Sequence, residues 1–251
     1  MQNQTSKKLR ILCLHGFYNN IQVMKYQFAY YEYIFRDFVE FDYLQAPYEE
    51  HQVHDISLKE KFEGPFYSWV KFNKETKRHE GFIESSELIK DYFEKSGPFD
   101  GVIGFSQGGY FLRTMMKAKE CGFPHILIEP KFSIFVGASV PHKHMFKGIN
   151  EGNYPCPVLY IYGKNDPIIT GHNFAICPTG DSTVIMHDKG HAIPKFTGEH
   201  MDTFTKFLNR FYEEKNGEPM TFDIVIDEEF KANFRKEHLN SFVTKPAIHK
   251  L

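Results

Sequence analysis

Gly104-Phe105-Ser106-Gln107-Gly108-Gly109 follows the run Phe99-Asp100-Gly101-Val102-Ile103 and precedes Tyr110 to Lys119, which holds no proline or glycine. The order is strand, sharp turn, helix, and the turn reads G-x-S-x-G. A serine hydroxyl is a weak nucleophile at neutral pH, so chemistry at serine needs exposure, a nearby base and N–H donors for an oxyanion. A tight turn at a strand end supplies the exposure. Small residues at Gly104 and Gly108 let the backbone make it, and the helix N-terminus adds its positive dipole end. A glycine-rich turn with an incidental serine is the plain alternative, so the rest of the chain has to decide.

At 251 residues, 41% hydrophobic and 25% charged, the chain has the length and composition of one globular core of the α/β kind. A formal net charge of -2 argues against a nucleic-acid or anionic-membrane surface. The 26 Phe and 14 Tyr point to a bulky core or to an apolar pocket lined with rings. Cys13, Cys121, Cys156 and Cys177 are scattered, with no C-x-x-C and no histidine cluster at zinc spacing. They read as free thiols in a reducing compartment, and neither a metal nor a cofactor is expected. Met1 to Lys8 is polar and basic, and no window approaches about eighteen consecutive apolar residues. The expectation is a cytoplasmic chain without a membrane span.

Upstream of the turn, Leu9-Arg10-Ile11-Leu12-Cys13-Leu14 reads as a strand buried on both faces. It ends in His15-Gly16-Phe17, at the strand edge where open α/β sheets place their ligands. The Phe17 N–H reads there as an oxyanion donor, and a plain strand-to-helix turn reads equally well. Val23 to Phe38 has helical spacing, Phe41 to Leu44 is a second strand closed by Ala46-Pro47, and Glu80 to Lys95 is a helix stopped by Gly97-Pro98. Between them, Tyr48 to His79 reads as a long excursion, with Phe62, Phe66, Tyr67, Trp69 and Phe72 packing on something.

Downstream, Phe132 to Val136, Pro157 to Tyr162 and Ser182 to Met186 are further strands, and Glu199 to Glu214 is a closing helix. Strands alternating with helices predict a mostly parallel, doubly wound sheet whose glycine-marked loops share one edge. The tail, 215–251, is set apart from the 1–214 domain. It carries alternating Phe222, Ile224 and Ile226 and a charged helical stretch from Glu228 to Leu239, and it either packs on the domain or mediates self-association.

A nucleophilic serine needs a base, and the base an orienting carboxylate. Asp166 follows the strand ending at Tyr162, and His191 follows the strand ending at Met186, in the order Ser, Asp, His. His187 lies within a strand, His172 and His200 lack a preceding strand, and His15 suits a structural hydrogen-bonding role. Asp181 and Asp188 are weaker orienters than Asp166.

The stretches L-C-L-H-G-F at 12–17, A-P at 46–47, G-P-F-D-G-V-I-G-F-S-Q-G-G at 97–109, Y-I-Y-G-K-N-D at 160–166 and G-H-A-I-P at 190–194 together resemble the FSH serine hydrolases. The resemblance covers roughly residues 9–212 and implies an α/β-hydrolase fold acting on carboxylic esters or acyl-thioesters. It implies Ser106 as nucleophile, Asp166 as orienter, His191 as base, and the Phe17 and Gln107 N–H groups as the oxyanion hole. The tail after Lys215 and Gly109, where members often carry alanine, depart from the pattern. The expected substrate is a small ester or acyl-thioester with an apolar acyl group, for which Phe62 to Phe72 and the residues around Val140 are candidate lining. A relative of acyl-protein thioesterases or lysophospholipases, or a hydrolase-fold binding module without turnover, are the alternatives.

Overall fold

Strand β1 (Leu9–Leu14) is central because its residues are apolar on both sides of the pleat: Leu9, Ile11 and Cys13 face one layer, Leu12 and Leu14 the other. The structure is a computed structural model describing residues 7–120, 122–139, 154–168, 180–221 and 228–236. After β1 come α1 (Ile21–Ile34) and β2 (Val39–Leu44). A crossing segment follows, with β3 (Tyr48–Glu49), α2 (Ile56–Lys61), β4 (Tyr67–Ser68), β5 (Lys71–Asn73) and β6 (Arg78–Glu80). Then α3 (Phe82–Lys95), β7 (Gly101–Phe105), α4 (Gln107–Met115), β8 (Phe132–Val136), β9 (Val158–Gly163), β10 (Ser182–His187), α5 (Gly198–Asn216) and α6 (Glu228–Phe234) complete the described elements.

The main sheet has the order β10-β9-β8-β7-β1-β2, and every neighbouring pair is parallel. All six C-terminal strand ends therefore open on one edge. From β1 the chain runs to β2 on one side and then crosses to β7 on the other, which makes β1/β7 the switch point where α/β sheets form their crevice. Helices α1 and α5 cover one face through Phe28, Tyr31, Phe204 and Leu208, and α3 and α4 cover the other through Ile89, Phe111 and Leu112. This is the parallel, doubly wound sheet that the strand alternation predicts, and it is the α/β-hydrolase architecture that the family resemblance implies.

Several boundaries differ from the sequence expectation, each for a local reason. Helix α1 starts at Ile21 because Asn20 caps it, its side chain accepting the Val23 N–H at 2.9 Å. The helix ends at Ile34 with Phe35 as its C-cap, before the expected Phe38, and the chain enters β2 at Val39. Helix α4 starts at Gln107 rather than Tyr110, with Gly108 and Gly109 inside it. A Cβ at Gly109 would lie 2.5 Å from the Ala138 Cβ and 2.7 Å from the Gly104 carbonyl oxygen, so an alanine does not fit at this place beside Ala138. The 48–80 excursion is not irregular: two short antiparallel pairs, β3/β4 and β5/β6, organise it.

The thiols of Cys13 and Cys156 are free, while Cys121 and Cys177 lie outside the described residues, as do Val140 and the 222–227 stretch. No helix among the described residues is long and apolar enough to cross a membrane. Beyond α5, helix α6 lays Phe234 into the main core, against the rings of Tyr30 and Tyr33.

Candidate active site

Ser106 stands at the junction of β7 and α4. Its N–H donates to the Val136 carbonyl at 2.8 Å, continuing the sheet ladder, and the backbone then turns through φ 51° and ψ -116°. A positive φ at a residue with a side chain costs of order 1–3 kcal/mol and persists only where its surroundings hold it. The turn lies against the β1 loop: a Cβ at Gly16 would come within 3.3 Å of the Ser106 Cβ. Any side chain here would press on the Phe105 ring, 3.1 Å from that Cβ, and on the Ser106 turn.

Asp166 and His191 come from the loops after β9 and β10 and meet directly. The Asp166 carboxylate, 1% exposed, accepts from His191 Nδ1 at 2.7 Å through one oxygen and from the Ile168 N–H at 2.9 Å through the other. With Nδ1 carrying the proton toward the carboxylate, Nε2 holds the lone pair, which is the tautomer a base needs. The imidazole lies over Phe105, the residue before Ser106, with ring centroids 4.9 Å apart. The strand ends thus bring Ser106, Asp166, His191 and the Gly16-Phe17 loop to one edge.

The Phe17 loop is pinned by His15. The buried imidazole accepts the Ala46 N–H on Nε2 at 3.1 Å, which places its proton on Nδ1, and Nδ1 donates to the Gly16 carbonyl at 2.8 Å. In a planar trans peptide the C=O and N–H point opposite ways, so fixing the Gly16 carbonyl toward His15 fixes the Phe17 N–H away from it. The Gln107 N–H opens α4, where no carbonyl of the helix's preceding turn exists to receive it. Trp69 ties the two loops together: its indole N–H donates to the His15 carbonyl at 2.8 Å, and its backbone N–H donates to Gln107 Oε1 at 2.7 Å. Sequence reading did not find this role for Trp69 or for Ala46. The motif A-P marks the second place without stating its purpose.

Burial lowers the His15 pKa to about 4, despite the bond to the Gly16 carbonyl. The unfolded chain takes up this proton near pH 6.5 and the folded chain only near pH 4. Stability is therefore full above about pH 6.5 and falls by roughly 3 kcal/mol as the pH drops to about 4. The expected observation is a His15 Cε1–H NMR resonance that stays in its neutral position from pH 8 to pH 5. A transition near pH 6.5 would contradict it.

The competing residues have other partners. His187 ends β10 and is buried, its Nδ1 accepting the Lys189 N–H at 3.2 Å; burial leads the causes that lower its pKa. His200 lies edge-on to Phe196, His172 is outside the described residues, Asp181 pairs with Arg210 and Asp188 with Lys164. Phe62, Phe66 and Trp69 are buried behind the loop rather than open to it. Phe17 itself is 41% exposed, and the exposed apolar residues Val53, at 47%, and Ile56, at 69%, lie either side of His54 in the chain. Phe17 packs on His54 with ring centroids 4.7 Å apart, between Val53 and Ile56 in the chain.

Comparison with known proteins gives the chain's family and fold. Esterase C25G4.2 of Caenorhabditis elegans is 26% identical over 223 residues, covering 83% of this chain and 96% of its own length. Esterase OVCA2 of Danio rerio is 26% identical over 230 residues, covering 81% and 97%. Rhodanese-like domain-containing protein 6 of Arabidopsis thaliana is 27% identical over 243 residues, and this chain spans 40% of it. Among solved structures, esterase PE8 superposes with a TM-score of 0.56 at 19% identity, covering 82% of this chain and 94% of its own. Acyl-protein thioesterase 2 of Zea mays superposes at 0.50 and 16% identity, covering 84% and 97%. These two share the fold. The sequence profile of the family described as "Serine hydrolase (FSH1)" matches residues 3–202, four-fifths of the chain, and the chain belongs to that family of serine hydrolases.

Proposed function

We propose that the protein hydrolyses carboxylic esters or thioesters through an acyl-enzyme on Ser106. The observation that carries this reading is the 2.7 Å Asp166–His191 pair, set beside the strained Ser106 turn by the Phe105 ring. His191 Nε2 takes the Ser106 proton as the hydroxyl oxygen attacks the carbonyl carbon. The Phe17 and Gln107 N–H groups receive the developing oxyanion. The imidazolium then protonates the leaving alcohol or thiol, and the same nitrogen activates water for the second half. Asp166 holds the tautomer and offsets the imidazolium charge.

Exposed Phe17, packed on His54 between the exposed Val53 and Ile56 in the chain, favours an apolar acyl group. The free thiols of Cys13 and Cys156 fit a reducing, cytoplasmic compartment. Fluorophosphonate labelling, followed by p-nitrophenyl esters from acetyl to palmitoyl, tests the reading. Labelling with a rate that rises with chain length supports it. A palmitoyl peptide cleaved far faster than any soluble ester favours a thioesterase of acylated proteins, and a folded protein that does not label is a binding module.

Asp166→Asn is expected to lower kcat by about 10⁴-fold with KM little changed, because the amide stabilises the wrong imidazole tautomer. Steady-state hydrolysis of the best p-nitrophenyl ester measures it. A loss below about tenfold would remove Asp166 from the mechanism.

A further inference from the structure

Between His191 and α5 the chain runs without regular structure from Ala192 to Thr197. Such a segment has no ladder to receive its backbone polar groups, and those buried must find side chains. Here they find two adjacent residues of α1. The Tyr31 hydroxyl donates to the Pro194 carbonyl at 2.5 Å and accepts the Phe196 N–H at 3.4 Å, and the Tyr30 hydroxyl donates to the Phe196 carbonyl at 2.7 Å. Neighbouring side chains on a helix diverge by about 100°, which lets one pair reach points two residues apart on an extended strand of chain.

We propose that Tyr30 and Tyr31, backed by α6, are positioning residues for His191: they hold the segment that leaves the imidazole, and so hold the imidazole. The proposal rests on His191 being the base. Its backing is visible on the far side of Tyr30, whose ring packs on Phe230 at 6.2 Å and on Phe234 at 6.0 Å between centroids. Lys195, from the held segment itself, places its ammonium 4.9 Å over the Phe234 ring. Helix α6 thus touches both the tyrosine and the segment it grips.

Two further features separate a grip from ordinary packing. Tyr31 sits among Phe28, Phe196 and Phe204, and the void bounded by Tyr31, Ile193, Pro194 and Phe196 measures about 10 Å³. That space is apolar and at the lower limit for one water, so no solvent stands ready to replace the hydroxyl. Burial also raises the pKa of both phenols, Tyr30 to about 12, so both hydroxyls keep their protons and remain donors. Both hydroxyls therefore stay protonated as donors across the assay pH range.

Tyr31→Phe removes only the oxygen and keeps the ring. A displacement near 1 Å at a reacting group costs up to about 10²-fold. The expected result is fluorophosphonate labelling slowed tenfold or more, with kcat for p-nitrophenyl butyrate falling in step and KM within twofold. Tyr30→Phe and Phe234→Ala should shift kcat in the same direction by smaller factors. Phe211→Leu, which thins the packing on Phe132 away from the segment, serves as a control for lost stability and should label at the wild-type rate when folded. Tyr31→Phe labelling like wild type, with only a lowered melting temperature, overturns the proposal. Should Tyr31→Phe not fold, Tyr30→Phe decides by the same comparison. His191→Ala labelling as fast as wild type overturns the base assignment itself, an outcome these tyrosine variants cannot mimic.

Discussion

Ser106→Ala is expected to abolish hydrolysis and fluorophosphonate labelling while leaving a folded protein. Loss of the nucleophile in serine hydrolases removes about 10⁴-fold or more of the rate, because the base and the oxyanion donors then have nothing to act on. The fold should tolerate the change. Ser106 contributes to the structure through its N–H bond to the Val136 carbonyl and its carbonyl bond from the Tyr110 N–H, both main-chain. Alanine keeps both and is no worse than serine at φ 51°. Circular dichroism and the melting temperature should match wild type within a few degrees, so that lost rate is lost chemistry. A variant that keeps most of its hydrolysis would place the nucleophile elsewhere.

Gly108→Ala is expected to damage stability and rate together. A Cβ at this position would lie 2.4 Å from the Leu14 carbonyl oxygen and 2.6 Å from that of His15, both main-chain atoms that cannot rotate away. Helix α4 must then back off from the end of β1. Overpacking of this kind costs about 3 kcal/mol or more, which for a chain of this size lowers the melting temperature by roughly 6–12 °C. The same retreat separates the Gln107 N–H from the Phe17 N–H and disturbs the Trp69 bond to the His15 carbonyl. Labelling measured well below the new melting temperature should be slower by about 10²-fold. A variant with normal melting and labelling would mean that the α4–β1 spacing is not what sets the site.

The sheet was legible because its central strands, β1, β7, β8 and β9, are apolar runs that end close to a glycine, while the edge strands β2 and β10 are half polar. The pairing of Asp166 with His191 was legible because both follow strands of one parallel sheet, whose ends share one edge. What was not legible lies in 48–80. Strands of two or three residues, such as Tyr48–Glu49 and Lys71–Asn73, are too short to show a period, and tertiary contacts fix them. The start of α4 was misplaced because Gly108-Gly109 reads locally as turn, while close approach to β1 and Ala138 demands glycine inside the helix. Trp69 was taken for pocket lining on its aromatic character. Its two N–H bonds, to residues 54 and 38 positions away in sequence, leave no local trace.

The hold of the 48–80 excursion on the Phe17 loop is partly main-chain in kind. The Asn19 N–H donates to the Tyr67 carbonyl at 3.1 Å, and the Tyr67 N–H returns a bond to the Asn19 carbonyl at 2.7 Å. Backbone bonds of this sort are indifferent to which side chains the residues carry. The outward residues of the same excursion, Val53 and Ile56 among them, are free to change without loosening that bridge. Under the proposed acyl-enzyme function, the surface that would meet the acyl group can thus be rewritten while the backbone bridge that holds the Phe17 loop stays as it is.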